Sequence, residues 1–268
     1  MKQAFNWSRF MRLAGGHFRK DAKGYLISCL VFAGISVGLF VLVASSSNDE
    51  SVSIGNQFFV YLVVIYGALF IFTAGVFQAY QRPREGMFQL LLPASRFEKF
   101  LWGWLVSFAG YAVVANAVFF VVRYLLMQYY SARGYAIAGL SNYAQLLEDQ
   151  KDTIPVMLVL VLVYLFLHAF ALYGSLAFRK MAVLKTALAL LLVVVSYLMV
   201  NRMLYAALFQ SEIQQAPLLP FMPLFLKDGG ITYQVDIPNW HYWLVTLSIV
   251  VTVLLWVVSY HKLREKEG

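Results

Sequence analysis

The chain has 268 residues, 61% of them hydrophobic and only 13% charged, with a mean hydropathy of +0.70. A soluble domain carries about 25% charge, so half that fraction excludes a water-soluble globule, and the wealth of apolar and aromatic residues excludes disorder. The net charge of +8 must then be read from where the charges fall along a chain whose solvent is lipid.

The first 23 residues hold six Lys or Arg and no uninterrupted apolar core before a small-residue site, a pattern that speaks against a cleavable signal peptide. Trp7, Phe10, Met11 and Leu13 interleave there with Arg9, Arg12, Arg19 and Lys20. This basic, amphipathic pattern predicts a helix lying in the membrane interface, with Gly15-Gly16 allowing a bend before the first span. Crossing about 30 Å of hydrocarbon takes roughly 20 mostly apolar residues. Six segments qualify, at 25–44, 58–80, 101–127, 155–178, 186–208 and 241–260. None alternates as a barrel strand would, so the expected fold is all-α, a single polytopic transmembrane domain.

Alternating the connections between two sides places sixteen of the 21 Lys and Arg on the side of the termini and three on the other, with Arg123 and Arg202 inside spans. Acidic residues divide the opposite way, five against eight. By the positive-inside rule both termini are cytoplasmic, and the expected location is the inner, cytoplasmic membrane, in contact with its lipid. The basic balance then describes orientation and calls for no nucleic-acid partner.

Between spans two and three lies a long connection, Gln81 to Lys99. Pro83 and Gly86 are placed to interrupt the second helix, Met87–Leu92 is a short apolar stretch, and Ser95 followed by Glu98 reads as a capping box. About 20 residues exceed the 2–8 of a plain helix–helix turn, which points to a docking surface. On the other side, 45–57 is short and polar, and 128–153 contains a helix-compatible 143–151. In 210–239 the prolines 217, 220 and 223 punctuate an apolar run that no regular helix accommodates. Asn239, after Pro238, is a suitable N-cap for the last span.

Catalytic chemistry is hard to place. There is no phosphate-binding loop of the G-x-x-x-x-G-K-[ST] type and no H-E-x-x-H, and the four histidines have no metal-site spacing. Cys29 is a lone cysteine, and Gly174-Ser175, seven residues from His168, lacks the flanking glycine of a nucleophile turn. No catalytic, cofactor or metal residue is assigned. No Asp or Glu lies within any span, which weakens an ion-coupled carrier. His168 and Asn116 each read either as pathway residues or as hydrogen-bonded helix contacts. Arg123 and Arg202 fall near span ends, where snorkelling to headgroups suffices, with contact to an anionic substrate as the alternative. Gly34-x-x-x-Gly38 permits close helix approach, and Gly67 and Gly75 form a second small-residue face.

The layout resembles the membrane subunit of type-2 ATP-binding-cassette exporters, the ABC-2 permease family. What carries it is the basic N-terminal helix, six spans with both ends inside, and Arg84-Glu-Gly-Met-Phe-Gln-Leu-Leu-Leu-Pro-Ala-Ser-Arg-Phe-Glu-Lys99, similar to that family's Glu-Gly, Leu-Leu and Pro-x-Ser-Arg pattern. The architecture covers the chain, the motif only about 84–104, and the proline-spaced run departs from regular re-entrant helices. The resemblance implies an elbow helix over 1–24, a coupling segment over 81–100, and a hairpin-like outer element over 209–240. It implies that Arg84, Glu85, Gly86, Phe88, Gln89, Pro93, Ser95 and Arg96 meet a separate ATPase subunit, which would hold ATP and magnesium. It further implies a second permease copy, identical or related, with Gly34 and Gly38 at the protomer interface and Asn116, His168, Asn201 and Arg202 as pathway candidates. The function so implied is outward movement of a lipid, glycan, peptide or drug-like substrate by a non-catalytic permease subunit. The alternatives are an ATPase-independent channel or carrier and a membrane-embedded lipid-modifying enzyme.

Overall fold

A computed structural model describes residues 5–46, 51–52, 54–81, 94–134, 136–137, 156–209, 213–215, 224–228, 231–235 and 239–266. Six of its helices are long and apolar enough to cross a membrane, and the chain is a multi-pass membrane protein. In chain order the elements are α1 (Trp7–Ser46), β1 (Ser51–Val52), α2 (Ile54–Gly75), a 3₁₀ turn (Gln78–Gln81), α3 (Arg96–Leu105), a π turn (Val106–Gly110), α4 (Tyr111–Ser131), β2 (Ala136–Ile137), α5 (Val156–Ala177), α6 (Ala182–Phe209), β3 (Ile213–Gln215), β4 (Leu224–Asp228), β5 (Ile231–Val235) and α7 (Trp240–Lys266). Helix α3, the π turn and α4 together make the third crossing.

The short strands lie in the connections between crossings. β1 pairs in parallel with β2, joining the first connection to the α4–α5 connection at one end of the bundle. β3, β4 and β5 form an antiparallel sheet with Asp228 opposite Ile231, a register that two intervening glycines, Gly229 and Gly230, suit. Most of the proline-spaced 217–226 run lies outside the described residues, as does 143–151; only Leu224–Leu226 of the run is seen, opening β4.

Helix α5 is the centre of the bundle, packed against α7, α2 and α6, while α1 packs on α2 and α4. Ile65, Leu69 and Thr73 of α2, with Phe77 just beyond its end, recur at four-residue steps and are all buried, one stripe of helical period. Two glycines decide how closely the helices approach. A Cβ on Gly174 would overlap Thr186, and one on Gly103 would overlap the Phe77 ring. The first brings α5 against α6 just before their short turn; the second seats Phe77 among Leu172, Leu176 and Leu263. By contrast, a Cβ at Gly34, Gly38, Gly67 or Gly75 meets nothing within 4 Å, so the expected packing faces are open in this chain.

Three boundaries differ from the sequence reading. α1 runs unbroken from Trp7 to Ser46, about 60 Å at 1.5 Å per residue, with no break at Gly15-Gly16 or at residue 24. A helical glycine costs about 1 kcal/mol without ending a helix, and buried Phe10 and Leu13 hold the basic stretch in place. The second span ends at Gly75, ahead of Pro83, where the Val76 N–H bonds the Thr73 carbonyl and a 3₁₀ turn follows at Gln78–Gln81. Asn239 precedes α7 in the left-handed region, φ 57°, instead of the extended conformation of an N-cap, and its carbonyl accepts from the Tyr242 N–H at 3.0 Å. At the end of α4, Gly134 takes φ 85°, the left-handed geometry that stops a helix.

Gly103→Val and Gly174→Val are expected to lower the thermal midpoint of the detergent-purified protein, since the new side chain would overlap Phe77 or Thr186 and overpacking costs about 1–3 kcal/mol. Gly34→Val and Gly38→Val should leave it unchanged for an isolated protomer. Thermal denaturation followed by size exclusion reads both.

Candidate functional site

Two polar constellations stand out, one at the end of the bundle that holds the termini and one within it. At the end, Ser95 caps α3 with φ −69° and ψ 155°, and the capping box with Glu98 is closed in both directions. Glu98 does more than cap. Its Oε2 accepts from the Ser95 N–H at 2.8 Å and from Arg9 Nε at 2.8 Å. Its Oε1 accepts from the Asn6 N–H at 2.8 Å and from Arg9 Nη2 at 2.7 Å. Four donors surround a side chain with no solvent exposure, an arrangement suited to an ionised carboxylate, which only accepts. The Arg9 fork is bidentate, the strongest geometry for such a pair.

Around this clamp, Phe5 packs edge-on against Phe97 at 6.1 Å and Phe10 against Trp102 at 6.3 Å. Phe97 and Phe100 meet Tyr260 of α7 edge-on. The Lys266 ammonium reaches the Leu176 carbonyl at 2.5 Å, near the C-terminus of α5 where a cation is favoured. The starts of α1 and α3 and the ends of α5 and α7 therefore share one end, rich in Arg and Lys. Of the eight residues expected at an ATPase contact, Arg84, Glu85, Gly86, Phe88, Gln89 and Pro93 lie outside the described residues; buried Ser95 and exposed Arg96 stand where the chain re-enters the bundle.

Inside the bundle, His168 has no solvent exposure and is bonded through both ring nitrogens. The Trp256 indole N–H donates to Nδ1 at 3.2 Å. An indole can only donate, so Nδ1 accepts and the neutral ring carries its proton on Nε2. Nε2 lies 2.9 Å from Ser107 Oγ and donates to it, and the Ser107 hydroxyl donates onward to the Gly103 carbonyl at 2.8 Å. Ser107 sits in the π turn, whose extra residue displaces backbone groups from the regular ladder; the Tyr164 hydroxyl donates to the Phe108 carbonyl at 2.7 Å. Trp104 and Phe108 flank the imidazole edge-on.

Further cross-links follow the same rule. The Tyr61 hydroxyl donates to Asn116 Oδ1 at 3.0 Å, and Asn116 Nδ2 donates to the Ala112 carbonyl of its own helix at 2.7 Å. Tyr111 and Tyr66 donate to the carbonyls of Ile65 and Leu160. Arg123 is a correction to the snorkelling expected of it. It is buried, and its Nε donates to Oε1 of buried Gln57 at 3.1 Å. Position near a span end suggested an outward reach, but Gln57 at the start of α2 supplies a polar partner inside.

Of the four pathway candidates, the structure holds His168 and Asn116 in helix-to-helix bonds. It places half-buried Asn201 and exposed Arg202 on α6, the least buried of the six long helices. Gly34 and Gly38 are exposed on α1, distant in sequence from both clusters. Missed by the sequence reading were Ser107, Trp256, Gly103 and Phe77. The i, i+4 pair Gly103 and Ser107, small residues among aromatics, was the signal available for two of them. Comparison with family models, with curated proteins and with solved structures finds no match.

Ser107→Ala strands the Nε2–H of His168 and Trp256→Phe strands its Nδ1. Each should cost about 1 kcal/mol, the usual worth of an interhelical hydrogen bond in a membrane, measured by reversible unfolding in mixed micelles. Arg9→Gln should lower the thermal midpoint by several degrees where Arg12→Gln does not, because only Arg9 forks onto Glu98.

Proposed function

We propose that this chain is the non-catalytic membrane subunit of an ABC-2-type exporter, moving a lipid, glycan, peptide or drug-like substrate outward. In this reading both termini and the 81–100 segment face the cytoplasm, and ATP and magnesium are held by a separate ATPase subunit docked on 84–96. The observation that carries it is the Arg9–Glu98–Ser95 clamp. The chain emerges from the 82–93 segment directly into Ser95, and Glu98 ties that point to the start of α1. A displacement imposed on the segment is thereby delivered to two crossings at once, α1 and α3–α4, which is what coupling to an external motor requires.

Two features support the same reading. The apolar stretches 25–44, 58–80, 101–127, 155–178, 186–208 and 241–260 carry no carboxylate, so energy from an ion gradient has no evident carrier within them. Helices α1 and α6 leave most of their apolar residues uncovered, and a second permease copy, identical or related, would cover part of them, with Gly34 and Gly38 at close approach. Asn201 and Arg202 on α6 would then border the pathway, and nucleotide binding in the partner would select between its states.

Coexpression with the cognate ATPase tests the reading. Replacing 84–96 with a Gly/Ser linker, or Phe88→Ala alone, should reduce ATPase copurification and substrate-stimulated ATP hydrolysis at least tenfold while membrane insertion is unchanged. Retention of the complex and of transport after replacement of the whole segment would remove the proposal.

A further inference from the structure

A groove of about 750 Å³ opens on the outside of the bundle between α2, α5 and α6, well within the roughly 300–1,000 Å³ of ligand pockets. Gly67, Phe70, Ile71, Leu167 and Leu190 line it, and the one neighbouring hydroxyl, Tyr66, is turned to the Leu160 carbonyl at 2.9 Å. Its walls therefore offer apolar surface and no free polar group except toward one end, where Gln78 and Met181–Leu184 complete the lining. Arg179, Lys180 and Lys185 bracket that stretch of lining, and all three are exposed. Lys185 lies 6.0 Å from the Phe178 ring, and none of the three is in an ion pair among the described residues.

We propose that this groove is a site for one anionic phospholipid, its acyl chain along Gly67 and its phosphate at the Arg179–Lys185 turn. Shape and charge select the occupant together. An acyl chain fits an apolar groove that is open to hydrocarbon, and the cations at its end match a negative headgroup. A second copy of this chain fits less well, because a two-fold contact about the groove would set Arg179, Lys180 and Lys185 against their own images. Glycine at 67 keeps the channel open, since any side chain there would stand in it. The proposal stands on the membrane fold alone and is independent of the transport reading.

Native mass spectrometry of the detergent-purified full chain, supplied with equal phosphatidylglycerol and phosphatidylcholine, tests it. The expected result is a single retained phosphatidylglycerol, favoured over phosphatidylcholine. Removing cations (Arg179→Gln, Lys180→Gln and Lys185→Gln) should weaken retention roughly fivefold per residue, the contribution of a Lys or Arg beside an anionic lipid surface. Gly67→Leu fills the groove without a clash, because a Cβ there meets nothing within 4 Å, and should abolish retention at unchanged thermal stability. Arg12→Gln with Arg19→Gln, which removes two exposed cations elsewhere, should not alter it. Equal retention of the two lipids, or undiminished phosphatidylglycerol on the Gly67→Leu protein, overturns the proposal.

Discussion

Hydrocarbon offers no hydrogen bonds, so each polar group carried into it must find its partner on the protein, at several kcal/mol if it fails. That constraint accounts for the way α2, α3–α4, α5 and α7 are joined. Tyr66, Tyr111 and Tyr164 each reach across to a backbone carbonyl of a neighbouring helix. His168 is closed between Trp256 and Ser107, and Arg123 is held by Gln57. Such bonds fix the rotation of each helix as well as its neighbours, because apolar packing against lipid-like surfaces discriminates poorly between rotations. Thr73, Tyr197 and Thr252 depart from the rule, with buried hydroxyl oxygens that have no hydrogen-bond partner among the described residues.

Close approach then decides which bonds can form. Gly103 admits the Phe77 ring at the point where α2 ends and the chain turns toward the 82–93 segment. The same residue supplies the carbonyl that takes the Ser107 hydroxyl, and Ser107 takes His168. One small residue on α3 thus serves both the packing of α2 and the polar bond to α5. The π turn just beyond it contributes the extra residue that turns Ser107 and Phe108 to the same neighbour, α5.

Crossings were legible in the sequence because hydrocarbon thickness sets their length, and six runs of about 20 apolar residues have few other readings. Ser95 and Glu98 were legible for a similar reason: a capping box is local, needing only three residues of separation. Arg9 as the partner of Glu98 was not, since nothing local relates residues 89 apart. The same holds for His168 and Trp256, 88 apart. Periodicity announces that a helix has a buried face without saying which helix covers it. The first helix was given a bend at Gly15-Gly16 that buried Phe10 and Leu13 override, and Arg123 was misread because depth along a span does not tell which side faces protein.

Continuity of α1 changes the mechanical meaning of the N-terminal segment. A separate interfacial helix linked through a flexible glycine pair would dissipate any force applied to it. A single helix from Trp7 to Ser46 would transmit it, and Glu98 is bonded to that helix within its first turn through Arg9. At the far side of the bundle the same helix packs on α2 and α4 beside Phe40 and Phe119. Glu98 is buried and its oxygens are occupied by four donors, so the grip resists sliding in a way that an exposed surface pair, worth little in water, would not. Ser95, Asn6 and Arg9 are therefore tied to one another through a single carboxylate, which joins the starts of α1 and α3.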